Sequence, residues 1–209
     1  MLVAGFCDNK SEYIPDAFYD ILPISCNEKN CGFPMVMSET LNNLQCSNPY
    51  CPQKTAWRMS KLLSSIGITN ISENILKEYI VENNIHNVFS IYSYDYYKKG
   101  LLHENLTDKT CINLTVALRN NCNFTLIDYV KAANLPYLQD SIDIIFDKVS
   151  DLKDFYYNLS KDGYTYMCNL LDLTNTKEKI VSVRVLKIID IFNTYKEELL
   201  DGLTLISIN

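Results

Sequence analysis

The sequence predicts a mostly α protein that opens with a small knuckle held by four cysteines. Three observations carry this expectation. Four of the eight cysteines, Cys26, Cys31, Cys46 and Cys51, fall as two tight pairs near the start of the chain. Five of the six prolines, Pro15, Pro23, Pro34, Pro49 and Pro52, crowd into the same quarter, and only Pro136 follows. From Thr55 onward apolar residues recur at helical spacing. At 209 residues and 47% hydrophobic, the chain has enough apolar material for a packed core, which excludes a disordered protein.

Residues 1–21 read as an N-terminal extension, 22–54 as the four-cysteine finger and 55–209 as a helical domain. Within the finger, Pro34 to Met37 and Leu44 to Cys46 read as short strands. Four residues separate Cys26 from Cys31, four separate Cys46 from Cys51, and fourteen lie between the pairs. Two such knuckles bring four sulfurs around one ion, and Gly32, Pro49 and Pro52 supply the turns. Four unrelated buried cysteines, or two disulfides, are the alternatives. Met1 to Phe6 is too short for a secretion signal, because Cys7, Asp8, Asn9 and Lys10 follow at once, and disulfides are therefore disfavoured. The expectation is one structural zinc ion on Cys26, Cys31, Cys46 and Cys51. The only histidines, His86 and His103, lie far downstream, so a catalytic zinc is not expected. Cys111 and Cys168 read as core residues, Cys122 could go either way, and Cys7 is undecided.

The helices follow in order: Thr55 to Ser64, Ser72 to Asn83 with Ser72 as N-cap, Thr107 to Asn121, Thr125 to Ala133, Leu138 to Val149, Ser160 to Leu171 and Thr174 to Tyr195. Short connectors at Ile66 to Ile71, Leu101 to Leu106, Leu135 to Leu138 and Asp172 to Thr176 fold neighbouring helices into hairpins. Tyr92, Tyr94, Tyr96 and Tyr97 precede Lys98 and Lys99; they read first as packing residues, with stacking on single-stranded bases as the alternative.

Composition adds a source. Asn (22), Ile (21), Lys (16) and Tyr (15) are abundant, while Gly (6), Ala (6), Pro (6) and Arg (3) are scarce. The bias follows AT-rich codons and implies a firmicute, a phage of one, or a parasite. Surface asparagines and the six Asn-x-Ser/Thr sequons are read as products of that bias. A net charge of −6 excludes whole-molecule electrostatic binding of nucleic acid, so any DNA contact must be a local patch. No apolar run approaches the roughly 18 residues of a membrane span, and a cytoplasmic location is expected.

The segment Cys46-Ser47-Asn48-Pro49-Tyr50-Cys51-Pro52-Gln53 resembles the last knuckle of the zinc finger of bacterial NAD-dependent DNA ligases, and the fourteen-residue gap is similar too. The likeness continues in order through Arg58 to Tyr79 with Ile66-Gly67-Ile68, Asn87 to Leu102, Phe124 to Leu138 and Leu152 to Ile189. Residues from about 22 to 195 thus resemble that family's zinc finger and tandem helix-hairpin-helix domain. The family's nucleotidyl-transferase domain, its barrel and its BRCT domain have no counterpart, and six scattered glycines make no phosphate loop. The resemblance therefore implies a stand-alone, non-catalytic module. Its hairpins have lost glycines that elsewhere admit a DNA phosphate to backbone N–H groups: only Gly67 remains, and Asp140 and Asp172 would repel phosphate.

Charge is segregated. Residues 56–72 carry Arg58 and Lys61 and no acid; residues 174–190 carry four bases against two acids; residues 132–173 carry seven acids against three bases. DNA contacts are expected at Lys54, Arg58, Lys61 and the Gly67 backbone, with Lys177, Lys179 and Arg184 opposite, and Arg58 and Lys61 are placed on a polar helix face. The expected function is a non-catalytic duplex-DNA-binding accessory protein of replication, repair or transcription, acting in the bacterial host cytoplasm if phage-encoded. The alternative is a protein-interaction subunit of a larger, viral nucleic-acid-processing complex that has lost its DNA contacts.

Overall fold

The computed structural model of the chain describes residues 24–38, 43–94, 104–173 and 179–208. The chain divides into two compact units that meet in sequence between Pro52 and Gln53.

In the first unit, β1 (Met35–Met37) pairs antiparallel with β2 (Leu44–Cys46), Met35 lying opposite Cys46. These strands fall where the sequence places them. An isolated bridge between Ser25 and Pro34 extends the ladder. Asn30 (φ 65°) and Gly32 (φ 63°) flank Cys31, so the first knuckle turns through two left-handed residues of types that tolerate that region.

The second unit is helical. Helix α1 (Pro52–Ser65) opens on a proline, whose fixed φ suits the first helical position. Then come α2 (Glu73–Glu82), a 3₁₀ helix (Val88–Ser93), α3 (Asp108–Asn120), α4 (Leu126–Ala132), α5 (Gln139–Phe146), α6 (Leu152–Leu170), α7 (Lys179–Thr194) and α8 (Lys196–Gly202). A two-residue parallel pairing joins β3 (Asn123–Phe124) to β4 (Ser207–Ile208).

The starts of these helices are written in side chains. Ser72 Oγ accepts the Ile75 N–H at 3.3 Å, Thr107 Oγ1 the Thr110 N–H at 3.3 Å, and Thr125 Oγ1 the Asp128 N–H at 3.1 Å. Asp151 caps α6 by accepting from Lys153 and Asp154, so this helix begins at Leu152 and not at Ser160. Its interior breaks at Asp162 (φ −148°, ψ 74°), whose carboxylate accepts the Thr165 N–H and recaps the second half. The predicted start at Ser160 thus mistook the second half of a kinked helix for the whole.

The ends follow a shared rule. After α1, α2 and α6 the chain enters the left-handed region at Gly67 (φ 85°), Asn84 (φ 51°) and Asp172 (φ 56°). The next residue then reaches back: Ile68 N–H to Leu63 O at 2.9 Å, Ile85 N–H to Ile80 O at 2.9 Å, Leu173 N–H to Cys168 O at 2.8 Å. This is the Schellman closure, usually made with glycine. Asn84 closes α2 in this way, and Asn134 (φ 48°) stands in the same left-handed region just after α4, so these two asparagines have structural places.

The core gathers Leu62, Leu76, Ile80, Phe89, Leu114, Tyr129, Phe155 and Phe192, all fully buried. Cys111 and Cys168 are buried with them, as their spacing predicts. Helix α8, which periodicity did not reveal, docks here. The Tyr129 hydroxyl donates to Leu199 O at 2.6 Å, and its ring stacks on Phe89 with centroids 4.4 Å apart. Gly202 sits so close that an added Cβ would collide with the Tyr129 hydroxyl and the Phe89 ring.

Arg58 corrects the sequence reading most sharply. It lies not on a polar face but inside, 2% exposed, among Thr55, Ala56, Met59, Leu62 and Leu63 on the inward side of α1. Its Nη2 is 2.8 Å from Glu198 Oε1, its Nε donates to Ala133 O at 2.9 Å, and its guanidinium lies 4.5 Å from the Tyr195 ring centroid. Glu198 Oε1 also accepts the Val88 N–H at 2.9 Å, and Asn87 Nδ2 donates to Glu198 O at 3.0 Å. Burial pushes the Glu198 carboxyl above its ordinary value, while Arg58 and the Val88 N–H pull against that. Truncation of one partner strands a buried charge. Arg58→Ala is expected to lower stability by about 3–5 kcal/mol, measured by urea unfolding, whereas the paired change Arg58→Met with Glu198→Leu should lose less than the single truncation.

Candidate metal centre and nucleic-acid interface

The sulfurs of Cys26, Cys31, Cys46 and Cys51 all lie within 4.8 Å of one another. Cys26 Sγ is 3.8 Å from Cys51 Sγ, and Cys31 Sγ is 3.5 Å from Cys46 Sγ. A disulfide needs about 2.05 Å, and all four cysteines are free. Four thiolates at about 2.3 Å from a tetrahedral ion stand roughly 3.8 Å apart, so these four are close enough to coordinate a metal ion.

The local chain explains the cluster. The Cys26 N–H donates to Phe33 O at 2.7 Å and the Cys31 N–H to Glu28 O at 3.0 Å, which closes the first knuckle. Asn48 organises the second. Its N–H donates to Cys46 Sγ at 3.4 Å, its Nδ2 to Cys31 Sγ at 3.5 Å, its Oδ1 accepts the Tyr50 N–H at 2.9 Å, and its carbonyl accepts the Cys51 N–H at 3.3 Å. At Cys31 desolvation is the largest influence and raises the thiol pKa. Hydrogen bonds involving the Phe33 backbone and the Asn48 side chain outweigh it and bring the thiol to about 7. At Cys46 desolvation wins over the Asn48 backbone hydrogen bond, and the thiol is pushed up to about 11. One sulfur is thus ready to ionise near neutrality, and a cation would draw the proton from the other. Among the described residues this is the one group of cysteines, histidines and carboxylates able to hold a metal ion. Cys122 lies apart, its Sγ 3.2 Å from Arg119 O, and Cys7 lies outside the described residues.

The residues expected to meet DNA are placed unevenly. Lys61 is exposed on α1, and Lys54, one of its neighbours on that helix, is half-buried. Arg58 is internal, as described. Gly67 lies in an exposed turn with open space where a Cβ would stand, but its N–H donates to Ser64 O at 3.1 Å. That N–H is engaged in closing α1. Arg184 is exposed on α7 and donates from Nη2 to Ser141 Oγ at 3.2 Å. Lys179 begins α7, with its side chain outside the described residues, as is all of Lys177. Asp140 is exposed at the start of α5, and Asp172 pairs with Lys148 at 2.7 Å.

Tyr92 behaves as a packing residue: its ring meets Phe124 edge-on at 6.0 Å, and its hydroxyl donates to Asn121 O at 2.9 Å. Tyr96, Tyr97, Lys98 and Lys99 lie outside the described residues. In the sequence Trp57 shares the apolar periodicity of Leu62 and Leu63. Helical spacing groups it with the core, yet it is 44% exposed, with Lys61 Nζ 5.6 Å from its ring centroid. The signal was present in its neighbours: Leu62 and Leu63 lie on the inward face, and Trp57 falls on the same face as Lys61, one turn away.

No protein-family model matches the chain, and no curated protein matches it. Among the described residues, no helix is long and apolar enough to cross a membrane.

Loss of one ligand should disable the cluster. Cys46→Ser protein, purified without chelator, is expected to fall well below one metal equivalent by elemental analysis. Asn48→Ala, which removes the side-chain amide beside Cys31 and the Tyr50 turn, is expected to weaken metal binding by about 10- to 100-fold in a chelator competition.

Proposed function

We propose that the chain is a non-catalytic, zinc- and DNA-binding accessory module of replication, repair or transcription, built like the finger and tandem helix-hairpin-helix part of NAD-dependent DNA ligases. The observation that carries this is the order of parts. A ligase-like Cys-x₄-Cys knuckle whose four sulfurs converge is followed directly by α1, an exposed turn at Gly67 and α2, in a stretch from 56 to 72 with bases and no acid.

An all-thiolate tetrahedral set favours zinc over the hard cations, and a full set of four ligands suits a structural ion. The DNA contacts in this reading are phosphate contacts by side chains: Lys54, Lys61 and the α1–α2 turn, with Arg184, Lys177 and Lys179 on α7. Duplex DNA is the partner, and catalytic subunits act in trans. The composition suits a phage of an AT-rich host, acting in the host cytoplasm.

A second reading has one observation in its favour. Tyr137, Val183, Ile188 and Ile191, with Arg184 and Lys187, line a groove of about 430 Å³, and Tyr137 (59%) and Val183 (61%) are well exposed. Such an apolar surface suits a protein-interaction subunit of a larger nucleic-acid-processing complex.

Salt separates the two. Five phosphate contacts imply a loss of affinity of roughly 500-fold between about 50 and 200 mM salt, measured by anisotropy of a labelled duplex. Lys61→Glu should weaken binding without change in melting temperature, because Lys61 is exposed. A wild-type protein that binds no duplex at the lower salt gives the protein-interaction reading the field. Incubation with NAD or ATP should leave the intact mass unchanged; a covalent adenylate would overturn the non-catalytic assignment.

A further inference from the structure

The single tryptophan of the chain, Trp57, stands 44% exposed on α1 while the opposite face of that helix is filled by Ala56, Met59, Leu62 and Leu63. Lys61 lies one turn along the same face, its ammonium 5.6 Å from the indole centroid, and Ser65 lies a turn further. Lys61 and Ser65 then enter the wall of a polar cavity of about 460 Å³ completed by Asn121, Asn123 and Lys131. One carboxylate borders it, Asp128, and its Oδ2 accepts the Thr125 hydroxyl at 2.7 Å. Lys131 Nζ is 2.6 Å from Asp143. Along α1 the order is therefore an exposed aromatic plate, a cation, and a polar recess, in a segment without acids.

Each part answers one part of a nucleotide. An indole face accepts any base by stacking, an ammonium neutralises the adjoining phosphate, and amides offer donors and acceptors to sugar or base edges. A base within a duplex has both faces covered, so the indole can take only an unpaired one. We propose that Trp57, Lys61 and the cavity beyond Ser65 form a binding site for an unpaired nucleotide of single-stranded DNA. The proposal rests on the DNA-binding reading above and goes further, because it adds an unpaired base as a second ligand of this face and gives that contact to Trp57, which the duplex reading does not use.

Because Trp57 is the only tryptophan, its own fluorescence reports the contact. Full-length protein is titrated at low salt with oligo-dT and, separately, with a blunt duplex. Oligo-dT is expected to quench the emission on binding, and the duplex to bind without quenching. Trp57→Ala should lower affinity for oligo-dT by about tenfold or more, as loss of one base–aromatic stack does, and leave duplex affinity by anisotropy unchanged. Trp57→Phe should recover part of the loss. Circular dichroism melts of both variants should match wild type, since the side chain is exposed. Duplex binding that persists while oligo-dT neither quenches Trp57 nor weakens in Trp57→Ala would overturn the stacking site and leave the DNA-binding reading standing. Failure of both DNAs to bind would overturn that reading and this site together.

Discussion

A buried ion pair between Arg58 and Glu198 holds the helical unit together across its sequence, and much of the local geometry depends on it. Arg58 comes from the first helix and Glu198 from the last, and between them they engage Ala133 O, the Val88 N–H, the Asn87 side chain through Glu198 O, and the Tyr195 ring. Two charges removed from water are tolerated only when neighbouring groups complete their hydrogen bonds. Here completion is partial: Arg58 Nη1 and Glu198 Oε2 find no hydrogen-bonding partner among the described residues. A pair like this is a weak source of net stability and a strong source of register. Any arrangement that withdraws α8 from α1 leaves a naked charge in the core. Gly202 and Tyr129 reinforce the same choice sterically, because the chain must pass within contact of both the Tyr129 hydroxyl and the Phe89 ring.

The four-cysteine cluster is built on different physics. Its geometry comes from backbone turns a few residues long: left-handed residues at Asn30 and Gly32, an Asx turn at Asn48, and a three-residue strand pair. Nothing in it requires a large core, which suits the 24–52 segment, where apolar side chains are few. The donors aimed at sulfur from Asn48 favour charged thiolates before any ion arrives, whereas burial of Cys46 opposes a second negative charge. A bound cation would resolve that conflict, and its binding would then be coupled to folding of the cluster.

The parts of this protein that were legible in the sequence are those set by local chemistry. Cysteine spacing located the cluster, Ser72 located a helix start, and the 3.6-residue period located most helices. The parts that were not legible depend on distant residues. Arg58 looked like a surface cation because its partner lies 140 positions away, in a seven-residue helix too short to show a period. Helix α6 appeared shortened because Asp162 interrupts its pattern midway. Scarcity of glycine does not leave the turns open. A turn needs a left-handed residue, and Asn84, Asn134 and Asp172 provide one without glycine. These turns close without glycine, and in the proposed DNA-binding reading a phosphate there meets side chains in place of a bare backbone.

That substitution bears on which face could meet DNA. At Gly67 the N–H groups of the turn close α1 on itself, through Gly67 to Ser64 O and Ile68 to Leu63 O, so the turn offers shape more than donors. In the proposed DNA-binding reading the cationic work falls mainly to lysines on long, flexible stems, which make weaker and less directional phosphate contacts than arginine. A protein that binds a polyanion weakly through a few lysines, against a net charge of −6, gains most from a contact that charge does not govern. Stacking is such a contact. Helix α1 is divided accordingly: its inner face is fixed by the buried Arg58–Glu198 pair and the leucines beside it, and that rigidity holds the outer face, with Trp57 and Lys61, in one orientation without any order being imposed on binding.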